Sequence, residues 1–400
     1  MKRNIPLFYF YSLLRSIEVT EAVWILFLLN KGISLTQIGL FELCYHMAHV
    51  LGEVPTGIVA DRYGRRLSLF IGSAVSCLSA ILIIVGQGPW MLGLAMTLSG
   101  LSWTFISGAD QAFLYDTCLE LKAQERYMAI QANASSLGLM GMALGLFAGG
   151  WLANIGFTLP YLVKVGMTIL GGVGALLLRE PPRKSPGDET PSVWQLAKAG
   201  VACFRNDLAR RPILFHVAFF TVSSLMSLYA QPFLNELGGS PGIIGTTLAI
   251  GCLVSAAATR LAPGLVRRWG ATAVLVGAPI LLGLMGVGLS LAGLAVAVVF
   301  VVLMYIPDLV VPILSDQLNA AVASSVRATV ISLQSSLFSL LMSIGFLASG
   351  QLSQVTSLGT LYAVLGIITL LAGPPAAVWL MRSRKNAEAQ ILAQIGAEGE

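Results

Sequence analysis

Long apolar runs separated by short polar breaks occupy almost the whole chain. Each run is about as long as the ~20 residues with which a helix crosses the ~30 Å hydrocarbon layer of a bilayer. Gly or Pro marks several breaks, as at Gly32, Pro89, Gly156 and Pro241, and both residue types interrupt helices. The pattern predicts an all-α integral membrane protein. Its twelve predicted spans are residues 6–29, 35–59, 67–86, 89–117, 128–153, 158–178, 212–236, 241–265, 272–291, 293–318, 328–353 and 358–381.

Composition and charge narrow the class further. The chain is 56% hydrophobic and 11% charged, whereas soluble domains carry about 25% charged residues. Its five cysteines are scattered and odd in number, so we expect neither a disulfide framework nor a metal site. The net charge of +5 does not indicate nucleic-acid binding, because the basic residues follow the membrane topology. No cofactor is expected.

Lys and Arg residues indicate the orientation. The first apolar run is long, carries charges and lacks a cleavage site, so we interpret it as a permanent span rather than a signal peptide. Nearly all 24 Lys and Arg residues fall in loops on one side, and that side is cytoplasmic by the positive-inside rule. The protein is therefore predicted to lie in the inner membrane, with both termini in the cytoplasm. The exceptions are Arg15, Lys31, Lys164 and Arg260.

The longest break, residues 179–211, contains several prolines and predicts the domain organisation. Residues 1–178 are an N-terminal six-helix bundle, 179–211 a cytoplasmic linker, 212–381 a C-terminal six-helix bundle and 382–400 a cytoplasmic tail. Apolar residues at helical spacing in the linker predict an amphipathic helix on the inner leaflet; a soluble helix between the halves fits equally well. These residues are Trp194, Ala197, Val201, Phe204 and Leu208.

The loop between the second and third spans, GIVADRYGRRLSL at 57–69, concentrates charge. A charge at the bilayer centre costs about 2.5–3.5 kcal/mol on insertion scales, so this loop lies at a membrane face. It matches the pattern Gly-x-x-x-Ala-Asp-Arg-x-Gly-Arg-(Arg/Lys) and resembles the signature loop of the major facilitator superfamily. The matching residues are Gly57, Ala60, Asp61, Arg62, Gly64, Arg65 and Arg66.

The resemblance implies a secondary transporter with twelve transmembrane helices in two pseudo-symmetric six-helix bundles around a central cavity. It also implies that the loop is a latch for one access state. We expect Asp61 to pair with Arg327 or with the start of the eleventh helix, whose macrodipole favours an anion. We expect Arg65 to reach Asp116. The alternative is that these charges only set the topology.

The two halves are related by an offset of about 200 residues. The sequence GLVRRWG at 264–270 falls where the signature loop would recur, with Arg267 at the Asp position. Asp316 follows Asp116 at the same offset. Parallel six-span repeats of this kind bind substrate near the midplane between the halves.

Ionisable residues within the second span share one helical face. Glu42, His46, His49 and Glu53 are separated by steps of 4, 7 and 11 residues from the first, which brings them into one narrow stripe. Because His titrates near neutral pH and a carboxylate tunes it, the stripe predicts a proton path. The alternative is a polar seam that packs against the other half.

The first span carries Arg15, Glu18 and Glu21. Arg15 and Glu18 are spaced for an i,i+3 ion pair, whereas Glu21 has no obvious local partner. Intramembrane acids mark functional sites by default, so we interpret Glu21 as a protonatable or cation-sensing acid. The alternative is that the acids are satisfied structural charges.

The fourth and tenth spans each carry an acid. The fourth contains GADQAFLYDT at 108–117, which is similar to a segment in a bacterial subset of the superfamily, and its Asp110 can face the cavity. Asp308 is the rough counterpart on the tenth span. It follows Pro307, which kinks or breaks a helix, and Arg260 is an available partner.

The fifth span reads GMALGLFAGG at 141–150. It is similar to a glycine-rich element of antiporters, except that Leu146 replaces a proline. Small residues in this pattern let helices approach closely. The basic residue that many proton-linked drug exporters carry on the fourth span is absent from residues 94–103, so proton coupling must use other groups.

These observations favour a secondary transporter that exports small, partly apolar organic molecules in exchange for protons, acting as a monomer in the bilayer. A proton-coupled uptake symporter for a polar metabolite, sugar or siderophore is the alternative. A non-transporting receptor or a membrane enzyme fits less well, because no catalytic motif is present. The proton-coupling candidates are Glu18, Glu21, Glu42, His46, His49, Glu53, Asp110 and Asp308. The candidates for the substrate cavity are Tyr11, Arg15, Trp24, Trp103, Phe113, Tyr229 and Arg260.

Overall fold

A computed structural model describes residues 1, 3–182, 204–322 and 327–398, and the regular structure within these ranges is helical, without a β-strand. This confirms the all-α prediction. The helices are α1 Asn4–Ser16, α2 Trp24–Asn30, α3 Leu35–Tyr63, α4 Arg65–Val85, α5 Pro89–Ile106, α6 Ala109–Glu120, α7 Tyr127–Ile155, α8 Thr158–Leu177, α9 Asp207–Glu236, α10 Pro241–Trp269, α11 Ala271–Leu289, α12 Leu294–Leu303, α13 Val311–Ala321, α14 Arg327–Val355 and α15 Leu358–Glu398.

Ten helical segments in the described ranges are long and apolar enough to cross a membrane. Two predicted spans are missing from this set. The first is divided between α1 and α2, each too short on its own. The second is α3, which carries the polar stripe predicted above.

Three predicted spans are interrupted rather than continuous. The first breaks between Ser16 and Trp24, and the fourth breaks between α5 and α6. In the fourth, Gly108 adopts a left-handed backbone with φ of +78°, which glycine tolerates without strain. The tenth passes through a 3₁₀ turn at Ile306–Val310, where Pro307 cannot supply a helical N–H.

The chain divides into two compact units. Unit 1 comprises Met1–Asp188, Tyr229–Leu253 and Met342–Thr356. In it α4 packs against α5 and α8, α3 packs against α5, and α1 packs against α7 and α8. A buried cluster that includes Phe8 and Leu114 joins α1, α4, α6 and α7.

Unit 2 comprises Glu189–Leu228, Val254–Leu341 and Ser357–Glu400. Its helices α11 and α15 approach closely at glycines, since a Cβ on Gly366 would lie 2.7 Å from the carbonyl oxygen of Gly283. The seventh span begins at Asp207 instead of residue 212. Most of the predicted amphipathic linker helix lies outside the described residues. The predicted boundaries of the two six-helix bundles stay a prediction.

Candidate functional site

The break in the first span, residues 17–23, is packed against glycines of the fifth span. Turns replace the helix here, with the Val23 N–H donating to the Thr20 carbonyl at 3.0 Å. A Cβ on Gly149 of α7 would overlap the carbonyl oxygen of Val19, and one on Gly145 would lie 2.6 Å from the Glu18 nitrogen. The glycines therefore allow backbone-to-backbone contact between α7 and the break.

A second helix binds the break through Gln231 of α9. The Ile25 N–H donates to Oε1 of Gln231 at 3.2 Å, and Nε2 of Gln231 donates to the Glu21 carbonyl at 2.8 Å. Helix ends leave backbone groups without helical partners. Gln231, which is 1% exposed, satisfies one backbone group within the break and one in the first turn of α2.

The predicted ion pair between Arg15 and Glu18 is wrong. Because α1 ends at Ser16, the two residues do not share a helix and the i,i+3 argument fails. Glu18 instead accepts a hydrogen bond from Nζ of Lys164 on α8. Arg15 lies beside Asp110, with Nη2 3.5 Å from Oδ2. Arg15 and Glu18 thus each have their partner on a different span.

Glu21 differs from these paired groups. Its carboxylate has no hydrogen bond or ion pair to any residue in the described ranges, and the residue as a whole is exposed. It lies within electrostatic range of Glu18, Lys164 and Glu42. Ionisable groups on two other helices, α3 and α8, therefore act on the Glu21 carboxylate.

The polar stripe of the second span lies on α3 as predicted. Nε2 of His46 is 3.6 Å from Oε2 of Glu42, and the two side chains are 11% and 10% exposed. The ring of Tyr45 meets that of His46 edge-on. Farther along the helix, His49 and Glu53 are half-buried. The stripe therefore starts near Glu21 and runs toward the other end of α3.

One predicted cavity aromatic has an accessible ring. Trp103 of α5 is 45% exposed, and the Arg15 guanidinium stacks on it at 5.0 Å. Asp110, in the first turn of α6, also accepts a hydrogen bond from the Gln111 N–H at 2.7 Å. The other predicted aromatics are packed in the interior, with exposures of 7% or less: Tyr11, Trp24, Phe113 and Tyr229.

Asp308 of unit 2 lies in the 3₁₀ turn of the tenth span and accepts a hydrogen bond from the Ser255 hydroxyl at 2.5 Å. The predicted pairing with Arg260 is not formed within the described ranges, where Arg260 is exposed. A hydroxyl on α10 satisfies the carboxylate instead. The unwound backbone around Pro307 places Asp308 beside this hydroxyl.

One predicted contact of the signature loop, between Arg65 and Asp116, is confirmed. Arg65, the first residue of α4, donates to Asp116 and to the Ala112 carbonyl, the latter at 2.7 Å. Gly64 before it has a φ of +117°, which favours glycine. Gly57 stands in open space, with nothing within 4 Å of a Cβ added to it.

The predicted partners of the latch fall in separate units. Asp61 and Arg62 are exposed at the end of α3 in unit 1. Arg327 belongs to unit 2, where its Nη2 donates to the Asn319 carbonyl at 3.1 Å. The pairing of Asp61 with Arg327 stays a prediction.

Two residues that were not predicted from the sequence hold the loop and the chain just after the sixth span. The Glu180 carboxylate accepts hydrogen bonds from the N–H groups of Arg65 and Arg66, both at 2.8 Å. Buried Asn4 donates to the Arg179 carbonyl at 2.8 Å and accepts from the Arg179 N–H at 3.0 Å. A carboxylate just after the sixth span, opposite the N-terminus of α4, was the available signal for Glu180.

Comparison with known proteins shows the family. The model of the Major Facilitator Superfamily matches residues 21–326. The chain belongs to this superfamily. It is therefore a multi-pass membrane protein of a transporter superfamily.

Several curated proteins are similar to part of the chain. The uncharacterized MFS-type transporter YxaM of Bacillus subtilis is 27% identical over 254 residues, 61% of this chain and 62% of the relative. Multidrug resistance protein 1 of Bacillus subtilis is 26% identical over 229 residues, 55% of each. Quinolone resistance protein NorA of Staphylococcus aureus is 22% identical over 260 residues, 64% of this chain and 65% of the relative. The matches thus span about half to two thirds of these relatives.

Solved structures resemble nearly the whole chain. The nucleoside transporter NupG has a TM-score of 0.73 at 14% identity and covers 94% of this chain and 97% of its own. The peptide transporter PepTSo of the POT family has a TM-score of 0.68 at 13% identity, with 96% and 99% covered. Identities this low establish a common fold and nothing about the substrate.

Proposed function

We propose that the chain exports small, partly apolar organic compounds in exchange for protons, by alternating access in the inner membrane. In this proposal both termini are cytoplasmic and the monomer is the working unit. Glu21 is the proton-binding group. The observation that carries the proposal is the environment of Glu21, an exposed residue whose carboxylate has no direct partner in the described ranges, among groups that are already paired.

Among the described residues, the other acids near the first span have a charged or titratable partner, whereas Glu21 has none. Lys164 neutralises Glu18, Arg15 lies beside Asp110, and His46 approaches Glu42. A paired carboxylate gives up its partner when it takes a proton, which opposes protonation. Glu21 has no such partner to lose within the described ranges. It can therefore bind either a proton or a cationic group of a substrate, and this competition is the physical basis of exchange.

Two observations favour export. Two of the relatives described above are named for drug resistance, Multidrug resistance protein 1 and Quinolone resistance protein NorA. The glycine-rich fifth span also resembles the antiporter element. We propose that substrate contacts the exposed ring of Trp103, which lies near the charged groups of the first span.

One feature favours the alternative of proton-coupled uptake. The Arg15 side chain is 27% exposed beside Trp103 and could bind an anionic metabolite if Asp110 became protonated. In that scheme proton and substrate bind together, which produces symport. The direction of coupling therefore distinguishes the two functions.

The signature loop has a separate role in the proposal. Arg65, Asp116 and Glu180 form an ion-pair and hydrogen-bond network at the start of α4. We propose that this network holds the loop rigid, so that Asp61 can stabilise one access state through Arg327 or the start of α14. Arg62 and Arg66 add positive charge at the cytoplasmic face.

Reconstitution tests the coupling directly. The purified protein is reconstituted into proteoliposomes, and these are loaded with a fluorescent lipophilic cation. An inward- or outward-directed pH gradient is then imposed. We expect the cation to move against the proton gradient, and Glu21→Gln to abolish this response. Movement with the proton gradient supports uptake symport, and indifference to the gradient contradicts proton coupling altogether.

A further inference from the structure

Gln231 connects the seventh span to the break of the first span through both of its polar atoms. As described above, it accepts from the Ile25 N–H and donates to the Glu21 carbonyl. We call these two hydrogen bonds the Gln231 bridge. The side chain is 1% exposed, so water does not replace either bond in this conformation.

The bridge supplies what the interrupted helix lacks. The Ile25 N–H belongs to the first turn of α2 and has no helical acceptor. The Glu21 carbonyl lies in the turn before α2 and has no helical donor. Unsatisfied backbone groups at membrane depth are costly unless protein satisfies them. A single amide side chain does so for both groups, and a carboxylate or an aliphatic side chain of the same size would not.

The bridge also fixes the backbone from which the Glu21 side chain projects. The bound carbonyl and the carboxyl-bearing side chain share the same Cα, so a hydrogen bond that holds the carbonyl also limits where that Cα, and the side chain attached to it, can lie. Helix α9 is continuous from Asp207 to Glu236. Its residues up to Leu228 belong to unit 2 and those from Tyr229 onward to unit 1. Displacement of α9 therefore acts directly on the backbone of Glu21.

We infer that Gln231 is a positioning residue that holds the Glu21 carboxyl in its proton-exchanging location and links that location to the position of the seventh span. The inference rests on the proposed role of Glu21 in proton coupling. Gln231, an uncharged residue of another span, then controls when Glu21 exchanges its proton.

Other titratable groups face Glu21 and also influence the pH dependence of exchange. They must stay unchanged in a Gln231 variant. Glu18 lies on the same break, and Lys164 and Tyr161 lie on α8. Glu42 and Tyr45 lie on α3. None of these groups belongs to α9. A substitution at Gln231 therefore alters the Glu21 position without removing a charge from its surroundings.

Two variants separate the atoms of the bridge. Gln231→Leu removes both hydrogen bonds at nearly constant volume. Gln231→Glu keeps an acceptor for the Ile25 N–H, but its ionised form cannot donate to the Glu21 carbonyl and adds a negative charge nearby. We expect Gln231→Leu to displace the pH of half-maximal exchange by about one unit, a common effect of altered surroundings. Gln231→Glu should displace it upward, because a second negative charge favours proton binding.

Asn154→Leu is the matched control. Asn154 of α7 accepts a hydrogen bond from the Gly242 N–H at 3.0 Å, so it also binds the backbone of another span in unit 1. No hydrogen bond joins it to the first-span break in the described ranges. We expect this variant to keep the wild-type pH profile, even if its overall rate falls.

Two readouts test the inference, with a lipophilic cation as the transported probe. The first is the pH profile of exchange in proteoliposomes. The second is hydrogen–deuterium exchange of peptides covering residues 17–30, which Gln231→Leu should accelerate about tenfold by removing the hydrogen-bond acceptor of the Ile25 amide. Faster hydrogen exchange with an unchanged pH profile would overturn the positioning role, and unchanged hydrogen exchange would overturn the bridge itself. A wild-type protein that ignores pH gradients would instead refute the proposed function, while the hydrogen-exchange result would still report on the bridge.

Discussion

Nη2 of Arg15 lies 3.5 Å from Oδ2 of Asp110, which joins the last turn of α1 to the first turn of α6. Both helix ends border a break, the first-span break on one side and the Ser107–Gly108 break on the other. Opposite charges at two interrupted helix ends stabilise each other where neither could be satisfied by its own span. The two breaks are therefore energetically connected.

The Arg15–Asp110 pair predicts compensation between variants. Asp110→Asn leaves the guanidinium, 27% exposed, without a counterion and should lower stability by about 1–3 kcal/mol. Adding Arg15→Met should recover most of this loss, because both charges are then absent. Chemical unfolding in detergent, followed by tryptophan fluorescence, measures the cycle. If the double variant were as unstable as the sum of the two single variants, the residues would not be coupled.

Glu21 and Glu18 should respond differently to neutralisation. Glu21→Gln removes a carboxylate that has no direct partner among the described residues, so the folded protein should remain stable while exchange loses its dependence on pH. Glu18→Gln leaves the half-buried Lys164 charge without its ion-pair partner and should lower the melting temperature. Thermal melts together with proteoliposome transport separate the two effects. Equal loss of stability in both variants would contradict the assignment of Glu21 as the free acid.

The contact between α7 and the first-span break predicts strong sensitivity at one glycine. Gly149→Ala places a methyl group onto the Val19 carbonyl, so the break must move, and we expect little folded protein or little transport. Gly166→Ala is the control, because nothing lies within 4 Å of its added Cβ. That variant should be neutral or slightly stabilising, as Ala favours helix over Gly. Expression level and size-exclusion profile report folding for both.

The sequence predicted the spans better than their interruptions. The length of the apolar runs and the positions of Lys and Arg located the helices. Both signals are local, because membrane thickness sets the length of every span and any charge within the membrane is costly. The first-span break escaped detection because residues 17–23 contain neither Gly nor Pro. Its causes lie elsewhere in the chain, in Gly149 of α7 and Gln231 of α9.

The undetected break also led to a wrong ion-pair prediction. Helical spacing paired Arg15 with Glu18, and this failed once the helix ended at Ser16. The Arg65–Asp116 contact was predicted correctly because the family resemblance supplied its long-range geometry. Lys164, Gln231 and Glu180 were not assigned their partners, since a single sequence does not show which spans are neighbours.

Glu180 should stabilise the start of α4. Its carboxylate accepts two backbone N–H groups at a helix N-terminus, where the macrodipole favours negative charge. We expect Glu180→Ala to cost about 1 kcal/mol of stability, comparable to loss of an N-cap. Glu236→Ala is the control, because this exposed acid ends α9, where negative charge is unfavourable. A greater loss of stability in the Glu236 variant would contradict the capping role.

Asp61→Asn tests the latch while preserving the size of the side chain. The residue is exposed at the end of α3, so its replacement should leave expression and thermal stability nearly unchanged. Transport should fall, because an amide cannot provide the negative charge that a helix N-terminus or Arg327 attracts. Transport and expression of this variant are compared with those of Glu120→Gln, an exposed acid at the end of α6. Wild-type transport rates in both variants would show that the charge of Asp61 serves topology alone.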